Sequence, residues 1–292
     1  AYTIETSDIK NFWAAYDKLA LADTREDSIQ IIQEQYLDVG TVYFQKFVEA
    51  RDFTAEEYIE NFALYPKFWQ SIRPLTEKIE HRKGEIKAVF ESYREELPNF
   101  KRPDVCFAIG CLRTGGTVSD DLILIGSEIA ASSEAVDKSE MTGWLHNVIG
   151  TGSDIVSMIA HETIHTQQRK ERKLNLLTGV MTEGIADFLA DTLLSLSINK
   201  EVYAYGDEHR CALFAEFKQD LKANPDDYGN WIYQGNRAAD RPADLGYYIG
   251  YQIARMYYEK TENNGRALKD LLKVKRYESI FARSGFMDMS CR

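Results

Sequence analysis

Apolar residues recur at helical spacing through the first hundred residues of the chain. One stripe, spaced three or four positions apart, consists of Ile32, Tyr36, Val39, Tyr43 and Phe47. A longer and highly charged helical pattern runs from Phe68 to Leu97, and we expect Pro74 to start or kink it. The pattern predicts an N-terminal helical layer over residues 1–100. Its aromatic residues are expected to form core, and we identify no chemistry in this layer.

The pattern changes to that of short strands after residue 100. Val105–Ile109 and Leu122–Ile125 are apolar runs on either side of a turn-rich stretch that contains Gly115-Gly116. These runs predict a hairpin, and one alternative for it is that its glycines serve only the turn. Helical spacing then returns up to the C-terminus.

The fold class that follows is α+β, mainly α. Residues 1–100 are expected to be the helical layer and residues 101–292 a core with a small sheet. With 292 residues, 44% of them hydrophobic, and no Pro/Gly/Ser-rich linker, the two parts are expected to form one compact unit.

The strongest chemical signal is His161-Glu162-Thr163-Ile164-His165. On an α-helix this spacing places two imidazoles one turn apart on one face, as two ligands of a single Zn²⁺ require. Glu162 then lies beside the open position of the metal, where it can take a proton from a zinc-bound water. The alternative is a solvated helix that carries two histidines by chance.

A second segment strengthens the metal hypothesis. Beyond a basic connector, Arg169–Lys173, the chain reads Met181–Phe188, in which Glu183 and Asp187 lie one helical turn apart. The apolar positions on the other face are Ile185, Phe188, Leu189 and Leu193. Two helices joined by a reversal would give a His₂Glu site with one position left for water, which is typical of catalytic zinc. Asp187 would accept the second ring N–H of a ligand histidine.

The start of the motif helix is also specified. Ser153 is the predicted N-cap, and Asp154 suits the positive end of the helix dipole. Ile155 and Ile159 are expected to bury the face away from the metal.

Several motifs carry a resemblance. HETIHTQQ followed by TEGIADF resembles the gluzincin class of zinc metallopeptidases, in which HExxH on one helix and a glutamate on the next share the metal. More narrowly, a bacterial family of proposed zinc-dependent proteases related to gliding-motility lipoproteins is similar over most of the chain from about residue 100. The segments are DVCFAIGCLRTGGTVSDDLILIGSE from Asp104, ADLGYYIGYQIA from Ala243 and ALKDLLKVKRYESIFARSGF from Ala267.

The resemblance implies a gluzincin-like core, Zn²⁺ as cofactor, and a peptide or protein substrate. In gluzincins a small sheet precedes the HExxH helix and its edge binds extended peptide, so the predicted hairpin is the expected substrate shelf. The resemblance also implies an exported protein, periplasmic or lipid-anchored. No signal peptide is present at Ala1, but the chain lacks an initiator methionine, so a leader removed beforehand stays an alternative.

The net charge narrows the classes of partner, and the cysteines raise the question of disulfide pairing. A net charge of -11 argues against nucleic acid and anionic membrane surfaces as partners, and no apolar run is long enough to span a membrane. Cys106 and Cys111 would point to opposite faces of one extended strand and are not expected to pair unless the chain turns between them. A disulfide between Cys211 and Cys291 is an alternative that the sequence leaves undecided.

The stabiliser of the oxyanion in peptide hydrolysis is less well determined. Tyr247 is one candidate, because it lies four residues before Tyr251 in GYYIGY and so shares a helix face with it, and Gly246 and Gly250 would permit a close neighbour. His209 is the other. A packed tyrosine and a surface histidine are the alternatives, and His81 and His146 are expected to be structural or exposed.

The predicted reaction is hydrolysis of a peptide bond. His161, His165 and Glu183 bind zinc, Glu162 is the general base, and Asp187 orients a ligand histidine. The absence of a G-x-M-E-N stretch favours an endopeptidase over an aminopeptidase. The alternative is a non-catalytic, metal-containing binding or assembly protein of the cell envelope, although a structural zinc has no need of Glu162.

Overall fold

The computed structural model describes residues 2–150, 154–168, 175–197, 199–234 and 241–289. These residues are mainly helical and include a four-stranded sheet, which confirms the α+β, mainly α class. The helices are α1 Ser7–Lys18, α2 Arg25–Ile32, α3 Val42–Arg51, α4 Ala55–Leu64, α5 Pro66–Thr76, α6 Lys83–Glu96, α7 Ser127–Ala130, α8 Gly143–Val148, α9 Ile155–Gln167, α10 Leu176–Leu194, α11 Lys200–Glu208, α12 Arg210–Ala223, α13 Gly246–Lys260, α14 Asn264–Leu271 and α15 Tyr277–Ser284. The strands are β1 Ile4–Glu5, β2 Asp104–Ala108, β3 Gly116–Ser119 and β4 Leu122–Gly126.

Backbone contacts group the chain into two compact units. The first unit is Ala1–Phe90 with Arg102–Glu162, and the second is Glu91–Lys101 with Thr163–Arg292. The boundary therefore falls inside the continuous helix α9. The sequence-based division at residue 100, between a helical layer and a core with a small sheet, stays a prediction.

The apolar stripe predicted near the N-terminus is divided between two helices. The first, α2, continues into a single π-helical turn that ends at Leu37, and α3 begins only at Val42. The Thr41 hydroxyl caps α3 by accepting from the Phe44 N–H at 3.2 Å, while the Thr41 N–H donates to the buried Asp8 carboxylate at 2.9 Å. This anchored cap interrupts the helix, and the stripe residue nearest to it, Val39, is exposed.

Pro74 does not start a helix. It lies in the last turn of α5, which ends at Thr76, and a 3₁₀ turn over Ile79–Arg82 separates α5 from α6. The charged pattern up to Leu97 is therefore two helices, with the proline close to the end of the first.

The sheet has the strand order β1-β2-β4-β3. The first two neighbouring pairs are parallel, whereas β3 runs antiparallel to β4. Both strands predicted from the apolar runs are present, but the prediction that they form a hairpin is wrong. They are parallel neighbours, β2 and β4, and the residues between them supply the long connection that parallel pairing requires. The hairpin is formed by β3 and β4.

The core of the second unit is built around α10, which is buried along most of its length and packs on α13. Glycines allow the two helices to approach closely. A Cβ atom added to Gly184 would lie 2.2 Å from the carbonyl carbon of Gly250, and one added to Gly250 would lie 2.0 Å from the Val180 carbonyl oxygen. The expectation that Gly250 permits a close neighbour is confirmed, and the neighbour is the helix that carries Glu183.

The cysteines and the remaining histidines behave largely as expected. Cys106 and Cys111 are buried free thiols, and Cys211 is disulfide-bonded. Cys291 lies outside the described residues. His81 and His146 are exposed.

The helix crossing generates a stability prediction. We expect Gly184→Ala to lower the free energy of unfolding by about 1–3 kcal/mol or more, because its methyl group meets backbone atoms that cannot rotate away. Gly84→Ala in α6 is the matched control, since no neighbouring atom would lie within 4 Å of a Cβ added there. That control is expected to raise stability by about 0.5–1 kcal/mol. Urea unfolding followed by circular dichroism measures both, and equal stability of the two variants would contradict the close crossing.

Candidate metal centre

Helix α9 presents the histidine motif from a buried position. Its inner face is set by Ile155 and Ile159, which are both buried as predicted. Asp154, just before the helix, forms an ion pair with Arg82 at 2.9 Å. The predicted N-cap, Ser153, lies outside the described residues, as does the predicted basic connector at residues 169–173.

Three predicted ligands are brought together. The ligand atoms of His161, His165 and Glu183 all lie within 4.8 Å of one another. The His165 Nε2 atom lies 3.2 Å from the Glu183 Oε2 atom. Two tetrahedral ligands at about 2.0–2.1 Å from zinc are separated by about 3.3 Å, so this spacing and the N/O donor set fit a zinc ion.

Gln168 is a site residue that sequence reasoning missed. Its Oε1 atom lies 2.8 Å from His165 Nδ1, so this ring nitrogen donates to the amide while Nε2 faces Glu183. The Gln168 amide also donates to the Thr182 carbonyl at 3.0 Å. One side chain thus joins a predicted ligand on α9 to the backbone next to the predicted ligand on α10. The sequence feature that could have identified Gln168 is its position one helical turn after His165 in HETIHTQQ.

Tyr233 is a second residue that the sequence did not reveal. Its hydroxyl donates to Glu183 Oε1 at 2.7 Å, whereas 51% of the residue is exposed. Burial of the hydroxyl end raises the pKa of Tyr233, and the negative charge of Glu183 raises it further. The phenol therefore keeps its proton at neutral pH and acts as a donor. Tyr233 has a left-handed backbone, with φ of 56°, in a segment without helical periodicity, so no pattern marks it.

Asp187 is held by two hydrogen bonds. Its Oδ2 atom accepts from the Asn199 amide and from the Tyr203 hydroxyl, each at 2.8 Å. Burial raises the pKa of Tyr203, and so does the nearby Asp187 charge, which keeps the phenol a donor. The predicted contact of Asp187 with a ligand histidine stays a prediction.

Glu162 lies against the start of β3. A Cβ atom added to Gly116 would be 2.6 Å from Glu162 Oε1, and one added to Gly115 would be 2.8 Å from Met158 Cε. The paired glycines lie at the end of β3 that is remote from the hairpin turn, so they do not serve that turn. They let the backbone of a strand at the edge of the described sheet lie directly on the helix face that carries Glu162.

The loop before β3 is held by the buried carboxylate of Glu128. It accepts from the Gly110 N–H at 2.8 Å and from the Leu112 N–H at 3.0 Å. Burial raises the pKa of Glu128 to about 7, although these hydrogen bonds favour the charged form. Leu112 has a left-handed backbone, with φ of 56°, so the carboxylate stabilises a conformation that is unfavourable for leucine.

The two predicted oxyanion stabilisers differ in their surroundings. Burial raises the pKa of Tyr247 well above its usual value, and the Glu183 charge contributes, so this phenol lies near the cluster. His209 follows α11. Its Nδ1 atom lies 3.0 Å from the Tyr205 carbonyl, and its ring stacks on that of Tyr205 at 4.0 Å between centroids. Both assignments stay predictions.

The chain is similar to a known protein family. Residues 3–213 match the family model described as gliding motility protein GldB. No curated protein and no solved structure matches the chain.

Glu128 generates a prediction about pH. Its pKa rises from 4.5 to about 7 on folding, so the folded state binds more protons between these values. The stability that this group contributes is then present below pH 4.5 and is lost as the pH rises to about 7, by about 3 kcal/mol. We expect the free energy of unfolding of the parent, minus that of Glu128→Gln, to fall by this amount across that window.

Chemical denaturation at a series of pH values measures this difference. Glu134→Gln, the same chemical change at an exposed position, is the matched control. A constant difference for Glu128→Gln would show that Glu128 does not titrate in this range.

Proposed function

The chain belongs to the family of the gliding motility protein GldB, and from this premise we propose that it is a zinc-dependent peptidase of the cell envelope. The observation that carries the proposal is the grouping of His161, His165 and Glu183, with Glu162 next in sequence to one ligand and outside the ligand set. A metal site that serves structure alone has no use for such a carboxylate.

Membership also gives the location. This is a family of lipoproteins, so the chain is an exported or lipid-anchored protein, as the resemblance implied. Within the described residues, no helix is sufficiently long and apolar to span a bilayer. The proposed substrate is therefore a peptide or protein that reaches the envelope.

In this proposal His161, His165 and Glu183 hold the zinc ion. When bound, zinc would lower the pKa of a water molecule and polarise the scissile carbonyl. Gln168 keeps His165 in the tautomer whose Nε2 is free to bind, and Tyr233 orients the carboxylate of Glu183.

Glu162 acts as the general base. It accepts a proton as the water oxygen forms its bond to the carbonyl carbon, and the proton passes to the leaving amine as the C–N bond breaks. Two features support this role: the Glu162 side chain is almost fully buried, and the edge strand β3 lies against it. A peptide extended along that edge would have its carbonyl groups aligned by backbone hydrogen bonds.

The developing negative charge needs a donor near the cluster. Tyr247 and His209 are the donors proposed from the sequence, and Tyr233 is added because its hydroxyl is already in contact with Glu183. The endopeptidase assignment also belongs to this proposal.

A non-catalytic binding or assembly protein of the envelope is the second candidate function. Gliding motility, the only activity in the family description, would be served by either kind of protein. Glu162 separates the two candidates, because an assembly protein has no role for it.

The proposed function gives a first prediction, which concerns metal content. We expect about one zinc per chain, and we expect His165→Ala to lose it. Gln168→Leu should bind zinc roughly 10- to 100-fold more weakly, because it removes the acceptor that orients His165. Gln167→Leu is the matched control, since Gln167 bonds to the backbone of Lys101. Competition with a chromogenic chelator measures the affinities, and unchanged zinc affinity in His165→Ala would refute the site.

The second prediction concerns the base. Glu162→Gln should keep zinc and its fold while losing orders of magnitude in peptide hydrolysis, because an amide cannot accept the proton. A diverse peptide library is incubated with both zinc-loaded proteins, and Glu134→Gln serves as a control with the same chemical change at an exposed position. Equal cleavage by parent and Glu162→Gln would remove Glu162 from this role. No cleavage by either, with zinc bound in both, would favour the binding protein.

A further inference from the structure

Arg51 carries a buried guanidinium nitrogen, Nε, that has no hydrogen-bond partner among the residues that the structure describes. Arg51 is the last residue of α3 and is half-buried. A desolvated guanidinium nitrogen that lacks an acceptor is unfavourable, and such groups in native proteins call for an explanation.

A neighbouring arginine shows the contrast. Arg113 donates to both carboxylate oxygens of Glu57, at 2.6 and 2.8 Å, and to the Arg51 carbonyl at 2.7 Å. Its charge is therefore matched by a fork-shaped ion pair, the geometry that arginine and carboxylate favour. The structure gives Arg51 no comparable ion pair among the residues it describes.

The position of Arg51 relates it to the proposed site. Its carbonyl is bound by Arg113, which lies three residues before Gly116, the glycine that packs against Glu162. Burial lowers the pKa of Arg51, and the charge of Glu162 opposes this effect, so the two side chains lie within electrostatic reach. Helix α3 also packs against β2 and β4 of the sheet.

We propose that Arg51 binds a carboxylate group of the peptide substrate next to the cleavage site. The inference rests on the proposed function, and it adds a substrate class: peptides that present a carboxylate, either at their C-terminus or on an Asp or Glu side chain. A planar guanidinium with an unused, desolvated donor fits this group, because two N–H groups bind two carboxylate oxygens.

The alternative for Arg51 is an internal role, as the resident counter-charge of Glu162. In that case its replacement would affect all peptides alike. A substrate role instead predicts an effect confined to peptides that carry the carboxylate.

The test measures binding, so it does not depend on turnover. Four N-acetylated hexapeptides of alanine and leucine are titrated into the zinc-loaded full chain by calorimetry. They end in a carboxylate or an amide, and each ending is made with and without one internal glutamate. The proteins are the parent, Arg51→Met, Arg51→Lys and Arg25→Met, the last removing an arginine of the same unit that is paired with Glu60 at the surface.

We expect the parent and Arg25→Met to prefer a carboxylate-bearing peptide by roughly 10-fold or more. Arg51→Met should abolish that preference and leave the amidated, glutamate-free peptide unaffected, while Arg51→Lys keeps part of it. Whether the terminal carboxylate or the glutamate carries the preference identifies the source of the group. No preference in the parent, a preference that survives in Arg51→Met, an equal loss for all four peptides, or no binding at all would overturn the proposal.

Cleavage of the same peptides by the parent and by Glu162→Gln is measured separately. A carboxylate preference without cleavage would leave the role of Arg51 standing and overturn the peptidase. Cleavage without any preference would overturn the role of Arg51 and leave the peptidase standing.

Discussion

The burial of carboxylates is the constraint on which the rest of this protein depends. Glu128, Glu162, Glu183 and Asp187 are all buried, and a carboxylate removed from water is costly unless hydrogen bonds or opposite charge stabilise it. The partners described for these carboxylates differ from one carboxylate to the next. Glu128 is bound by loop amides, Asp187 by an amide and a phenol, and Glu183 by a phenol, with its other oxygen 3.2 Å from the His165 Nε2 atom. The fold supplies these partners from segments far apart in sequence, so the position of each charge is determined by tertiary structure.

The parts that could be predicted from sequence are those with local causes. The helix of His161 and His165, the buried face of that helix and the apolar runs of β2 and β4 all follow from spacing within one element. Glu183 was also identified, because a second motif with its own periodicity carried it.

The parts that were missed have non-local causes. Pairing between β2 and β4 is parallel because β3 takes the antiparallel position, and no feature of either apolar run distinguishes the two arrangements. Tyr233 contacts Glu183 from an irregular segment, in which no periodic pattern of apolar residues marks its position. The division of the early stripe into two helices depends on Thr41 meeting Asp8, a contact between residues 33 positions apart. Such contacts exist only once the chain has folded.

The cysteines have a consequence for oxidative folding. An exported chain meets oxidants while it folds, and thiols that stay reactive can exchange into wrong disulfides. Burial raises the pKa of both Cys106 and Cys111, so once the sheet has formed neither supplies an appreciable amount of thiolate. The early assembly of β2 and its loop would then act as chemical protection, leaving the disulfide of Cys211 unchallenged by these two thiols.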